Sequence, residues 1–247
     1  MRILPFSYLE QRDIAAAPTP GRPTPITTNL EFWADAGVTA NASTWTDQQL
    51  LQAGTVDSAT YTSTDPYYYS FAGPNQGNEI VWSNSSGQFD FSQWSVSMWI
   101  RFADNNNVNY ALASQRQTVG SSGNRFSLHA NPSTDIIGIY SGTTGFKRNG
   151  TAGLFSAGNW YFCTWASDGG DYFWYVNDVY SSGDLSGNFN ASETNIDFAI
   201  GSPNANLTTY GGEWFSGDIG YVLYYSSKIS YTDHQSNYNT TKGLFGL

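Results

Sequence analysis

Residues 94–102, WSVSMWIRF, decide the fold class. Trp94, Val96, Met98, Ile100 and Phe102 alternate with Ser95, Ser97, Trp99 and Arg101. Successive side chains of a strand point to opposite faces, so this period of two marks a strand with one face on a core. Working outward, similar runs occur at LEFWAD (30–35), YYYSFAG (67–73), EIVWS (79–83), VNYALAS (108–114), RFSLHA (125–130) and DIIGIYS (135–141). Others follow at NWYFCTWAS (159–167), DYFWYVNDV (171–179), NIDFAIGS (195–202) and DIGYVLYYS (218–226). DNNN, SSGN, SDGGD and GNFN lie between them and supply turn chemistry. About a dozen short strands joined by polar turns read as an all-β, two-sheet antiparallel jelly-roll sandwich. One short helix is expected near the C-terminus. Ser230 and Asp233 form an S-x-x-D capping pattern, residues 231–240 can follow, and Gly243 ends the run. Ile229 and Tyr238 would anchor that helix to the sandwich.

The N-terminal 29 residues have a different character. Five of the nine prolines fall at Pro5, Pro18, Pro20, Pro23 and Pro25. Residues 18–25 should be extended and polyproline-like, with few hydrogen-bonding needs of their own. The apolar patch from Ile3 to Leu9 is interrupted by Pro5 and followed by Glu10, Arg12 and Asp13, which disfavours a cleaved secretion signal. The chain therefore divides into an extended docking arm, 1–29, and a sandwich domain, 30–247. Ile3, Leu4, Phe6, Tyr8 and Leu9 are the expected anchor residues of the arm, and a truncation lacking residues 1–25 should still fold.

Composition excludes several functions. Ten basic residues face twenty acidic ones, for a net charge of −10, and charged residues make up only 12% of the 247. So few, unclustered cations cannot release the counterions of a nucleic acid, and an anionic membrane is disfavoured for the same reason. The single cysteine, Cys163, permits no intrachain disulfide and lies in an aromatic strand, where a small buried apolar role fits it. No apolar run approaches membrane-spanning length.

A catalytic constellation is not evident. Sandwich glycosidases need two carboxylates across one cleft. The five glutamates are Glu10, Glu31, Glu79, Glu193 and Glu213, and none has a carboxylate two positions away. Glu31/Asp35 and Glu193/Asp197 share a strand face but stand about 13 Å apart. His129 and His234 lack nearby partners for zinc, and His129 is expected on the outward, solvent-facing side of its strand. Asp168 and Asp171, in SDGGD, offer hard oxygens that suit calcium, but the Asp/Gly composition fits hairpin-turn chemistry better. Among 17% aromatic residues, Trp33, Trp94, Trp160, Trp174 and Tyr221 are expected in the core. Tyr68 and Trp214 are the candidates for exposed rings that stack on glycans.

Six segments together carry a family resemblance: LEFWADAG…STWTDQ, SFAGPNQGNEIVW, FSQWSVSMWIRF, RFSLHA, GNWYFCTWASDGGDYFWYVNDV and FSGDIGYVLYYSSKISYTDHQSNYN. In this order they resemble a laminin G-like domain of the concanavalin A-like jelly-roll superfamily, from about Leu30 to Leu247. The ending NYNTTKGLFGL is similar to the terminus of laminin G-like proteins of tailed-bacteriophage virions. The resemblance implies a non-enzymatic virion structural protein, a capsid decoration or a fibre or appendage protein. It would dock to capsid or other virion proteins by its arm, form a homo-oligomer (trimer or dimer), need no cofactor beyond possible calcium, and bind host-surface glycans at the virion surface. A secreted bacterial carbohydrate-binding or adhesion module is the alternative.

Overall fold

The computed structural model describes residues 21–73, 78–116, 124–141, 145–150, 153–181, 193–203 and 213–247. The docking residues Ile3 to Leu9 lie outside this set. Among the described residues there are sixteen strands. In chain order the first eight are β1 (Leu30–Asp35), β2 (Thr44–Thr46), β3 (Ala53–Asp57), β4 (Thr60–Thr62), β5 (Tyr68–Ala72), β6 (Glu79–Trp82), β7 (Trp94–Phe102) and β8 (Tyr110–Arg116). The rest are β9 (Asn124–Asn131), β10 (Ile136–Ser141), β11 (Gly145–Gly150), β12 (Trp160–Ser167), β13 (Tyr172–Val176), β14 (Val179–Ser181), β15 (Phe198–Ile200) and β16 (Ser216–Tyr225). Two helices accompany them, a single turn α1 (Ala36–Thr39) and α2 (Tyr231–Thr241).

The strands form two eight-stranded antiparallel sheets. One runs β14-β13-β12-β7-β16-β5-β4, with β1 also paired to β16. The other runs β11-β10-β9-β8-β15-β6-β3-β2. The all-β sandwich with a short C-terminal helix is thus what the alternation foretold. Between the sheets lies the main core, where Trp94, Val96, Met98, Ile100 and Phe102 of β7 meet Phe126, Leu128 and Ala130 of β9. Cys163 is fully buried there, and burial pushes its thiol well up, so it is no thiolate nucleophile.

The other face of β7 departs from expectation. Alternation placed one face on a core, yet Ser95, Ser97 and Trp99 on the other face are fully buried as well. A second apolar cluster covers them, with Trp33, Trp160, Phe162, Tyr221, Leu223, Tyr225, Ile229 and Phe245. The cause is α2. It opens with the expected capping box, in which the Ser230 hydroxyl accepts from the Asp233 N–H and the Asp233 carboxylate accepts from the Ser230 N–H. It runs to Thr241 and passes into a 3-10 turn, Lys242–Phe245, before Gly246 takes a left-handed φ of 76°. Trp99 stacks on Phe245 with ring centroids 4.6 Å apart and donates Nε1–H to the Thr241 hydroxyl at 2.7 Å. Ile229 and Tyr238 are part of this contact, as anticipated.

Residues 21–29 also pack on this side. Pro25 is buried, the Ile26 N–H donates to Asn237 Oδ1 of α2 at 2.9 Å, and Tyr225 donates to the Ile26 carbonyl at 3.1 Å. Arg22 grips the fully buried Asp35 carboxylate with both Nε and a terminal nitrogen. Gly37 leaves room for that guanidinium, since a Cβ there would stand 2.5 Å from the Arg22 Cζ.

Candidate functional site

A cavity of about 220 Å³ opens on the outer side of the β8–β9–β10–β11 sheet. Its lining is Asn109, Arg116, His129, Tyr140, Phe146 and Glu213. The site is built around β9. With Phe126, Leu128 and Ala130 turned inward, Arg125, Ser127, His129 and Asn131 must face out. The strand register then places a small residue on either side of His129. Ala111 of β8 and Gly138 of β10 are its direct partners. Small neighbours on both flanks leave a trough with the imidazole as its floor.

Glycine at position 138 is required by a close approach. A Cβ there would lie 2.9 Å from Phe146 Cζ and 2.6 Å from the Lys147 carbonyl oxygen. The Phe146 ring of β11 leans over Gly138 and meets His129 edge to face, centroids 5.3 Å apart. Tyr140 stands two residues along β10, on the same face, with the Arg116 guanidinium 4.7 Å from its ring centre. A bulge between Gln115 and Arg116 shifts the β8 register at that point, the kind of irregularity that re-aims a side chain. Glu213 arrives from another segment. Its carbonyl accepts the Ala111 N–H at 2.8 Å, and the next residue, Trp214, forms a parallel bridge with Ala111.

The electrostatics of the cavity are closely balanced. His129 is 2% exposed, and burial pushes its pKa down to about 4. The Asn109 carbonyl opposes that shift and the Arg116 charge adds to it. The imidazole is therefore neutral at pH 7. Its Nδ1 faces the Asn109 carbonyl at 3.4 Å, and a carbonyl can only accept, so Nδ1 carries the proton. Nε2 is then a lone-pair acceptor, buried, and it has no hydrogen-bond partner among the described residues. Burial raises the Glu213 pKa, and Arg116 opposes the shift. One cation, one carboxylate, one neutral acceptor and two half-buried aromatic rings thus share one small space. Among the described residues, Glu213 is the single carboxylate lining it.

The residues singled out in the sequence fall elsewhere. His129 was expected on a solvated face; the flanking rings and the Glu213 segment bury it instead. Trp214 was expected as an exposed ring, but it is 2% exposed, because pairing with β8 tucks its segment against the sheet. Tyr68 is half-buried on the opposite sheet. Its ring lies against Trp160 (centroids 5.7 Å) with Arg101 stacked 4.9 Å away, so both of these neighbours already occupy it. Asp168 caps its own turn: Oδ1 accepts from the Gly170 and Asp171 N–H groups at 3.1 and 2.8 Å, and Oδ2 faces Lys228 at 3.4 Å. Asp171 supplies the backbone of that turn, and no group of three or more metal-ligating side chains occurs among the described residues. The structure therefore joins only Asp168 and Asp171, within one turn, and does not bring that turn, Tyr68 and Trp214 to one site. The sequence signal for the true cluster was the out-facing row of RFSLHA, whose partners depend on register.

No protein-family model and no curated protein sequence matches the chain. Solved structures do. Trypanosoma rangeli sialidase in complex with sialic acid is similar over 96% of this chain, with a TM-score of 0.65 and 16% identity. The shared fold is a two-sheet antiparallel β-sandwich. The binding domain of botulinum neurotoxin DC, in complex with rat synaptotagmin II, is similar over 86% of the chain (TM-score 0.63, 10% identity), and the serotype G binding domain over 85% (TM-score 0.62, 12% identity). This chain spans 38% of the sialidase and 52% and 50% of the two toxin domains. At such identities the likeness is one of fold, and fold alone assigns no activity.

Proposed function

We propose that this protein is a non-enzymatic virion surface protein whose laminin G-like sandwich binds host glycans in the cavity over His129. One observation carries the binding reading: a buried acceptor nitrogen, without a protein partner among the described residues, lies at the base of an open, aromatic-walled cavity. A buried polar atom left unsatisfied is costly, and a ligand hydroxyl would satisfy it. Two aromatic rings beside an arginine, a carboxylate and an amide suit a sugar, with an apolar ring face and polar edges. Among the similar solved structures are a sialidase in complex with sialic acid and a neurotoxin binding domain in complex with synaptotagmin II, of which this chain spans 38% and 52%. A single lining carboxylate among the described residues favours binding over two-carboxylate glycoside hydrolysis.

The virion setting rests on the resemblance of the six segments and of the C-terminal NYNTTKGLFGL. The arm, with Ile3, Leu4, Phe6, Tyr8 and Leu9, would hold the sandwich to a capsid or appendage protein, and multiple copies would multiply weak glycan contacts. A glycan array probed with the full chain, together with a protein inventory of purified particles, tests both halves. The expected result is selective glycan retention, reduced by Glu213→Gln, and recovery of the intact chain with the particles. Recovery only from bacterial culture supernatant, with the first residues removed, would instead favour the secreted adhesion module.

A further inference from the structure

We infer that the cavity takes a single uncharged sugar ring, and that His129 selects it by accepting a hydroxyl hydrogen at Nε2. This rests on the glycan-binding reading above and narrows it to a ligand class.

Size gives the first argument. A cavity of about 220 Å³ falls below the roughly 300 Å³ at which drug-sized pockets begin, so one ring fits and an oligosaccharide does not. The ligand is then the end of a chain or a branch.

Charge gives the second. Arg116 and Glu213 line the same space with opposite formal charges, and the neutral His129 adds none. A uronate or another acidic sugar would meet the Glu213 carboxylate as well as the Arg116 guanidinium. An uncharged ring avoids the repulsion from Glu213.

Hydrogen-bond polarity gives the third. With Nδ1 turned to the Asn109 carbonyl, Nε2 can only accept. A ligand carboxylate placed there would set lone pair against lone pair. A sugar hydroxyl would donate to Nε2 and remain free to accept from a neighbouring donor such as Arg116. The ring's apolar face would lie on Tyr140 or Phe146, which stand side by side on one face as register partners on β10 and β11.

Calorimetric titration of the full chain at pH 7 tests this, with methyl glycosides of neutral hexoses and N-acetylhexosamines set against methyl uronides. The expected result is saturable binding of at least one neutral glycoside, with uronides weaker by roughly tenfold or more. His129→Phe, which keeps an aromatic ring and removes the acceptor, should weaken the neutral glycoside by roughly tenfold, and His129→Gln, which can still accept, should recover part of the loss. Stronger binding of a uronide by the wild-type chain, or unchanged binding by a folded His129→Phe variant, overturns the inference while leaving glycan binding intact. Failure of every glycoside, neutral and acidic alike, overturns the glycan reading itself and this inference with it.

Discussion

Lowering the pH from 6.5 to about 4 will remove several kcal/mol of folding stability. The two histidines of the chain are both buried and both neutral when folded. His129 is held at about 4 by burial, with Arg116 reinforcing and the Asn109 carbonyl opposing. His234 is held at about 4 by burial, with the Asn177 carbonyl opposing. Its Nε2 lies 2.6 Å from that carbonyl and so donates, and its Nδ1 accepts from the Thr164 hydroxyl, 2.8 Å away. Protonating Nδ1 would reverse this second bond, with the Thr164 hydroxyl turned to accept, and would leave a buried charge. In the unfolded chain both groups titrate near 6.5. Below that pH the unfolded state takes up two protons that the folded state refuses until about 4. Stability is therefore complete above pH 6.5, falls as the pH drops, and levels off near 4. Each shift corresponds to ~3 kcal/mol, so together they approach the whole stability of an ordinary domain. Asp47 and Glu213, raised by burial, act in the opposite sense and soften the lower end of the fall. Urea unfolding at a series of pH values will show the slope, and His129→Phe should halve it. A stability that stays flat from pH 7 to pH 4 would mean that at least one histidine is not buried as described.

The second large effect lies at the edge of the proline-rich arm. Arg22→Ala should lower stability by about 3 kcal/mol, because it leaves Asp35 as a buried carboxylate without its cation. Asp35 is fully buried, the Arg22 side chain is 14% exposed, and the guanidinium also lies 5.5 Å from the Tyr67 ring centre. The Asp35 carboxylate keeps one further bond, from the Gly37 N–H at 2.8 Å, which caps α1. Arg22→Lys should recover only part of the loss, since an ammonium cannot match both carboxylate oxygens at once. Pairing Arg22→Ala with Asp35→Asn should restore much of the stability, as the orphaned charge is gone and the cap remains. Truncation gives a matching contrast. A chain lacking residues 1–20 keeps Arg22 and Pro25 and should retain its thermal midpoint; one lacking 1–25 should lose stability comparable to Arg22→Ala. Equal midpoints for the two truncations would show that the Arg22 contact contributes nothing.

What could be read in advance follows the range of the interactions. Local periodicity carried most of the fold: the alternation of WSVSMWIRF, the turn signals and the Ser230 capping box depend on neighbours two to four residues away. The docking of α2 was legible through Ile229 and Tyr238, but its consequence was not. That Ser95, Ser97 and Trp99 would be buried depends on where a helix more than a hundred residues later comes to rest. The cavity was hidden for the same reason. His129 looked like a surface residue because its own strand said only that it pointed outward. Its burial needs Ala111 and Gly138 beside it, Phe146 over that glycine and Glu213 brought in by the Trp214 bridge. Each is a matter of register between distant strands, which a single sequence leaves open. Trp214 failed as a stacking residue on the same ground. A backbone bridge to β8 fixes it inward. Arg22, amid prolines that marked a free arm, reads as an anchor only once Asp35 and Gly37 are seen around it.

The central claim, that a glycan occupies the cavity over His129, is tested most directly by the imidazole nitrogen spectrum of histidine-labelled protein during titration with a glycan retained on the array. At pH 7 the free protein should show both histidines neutral. On saturation the His129 Nε2 resonance should move as it accepts a hydroxyl, while His234, on the buried face of α2, stays in place. Saturable glycan binding that leaves His129 unmoved would contradict the account and place the binding surface elsewhere on the sandwich.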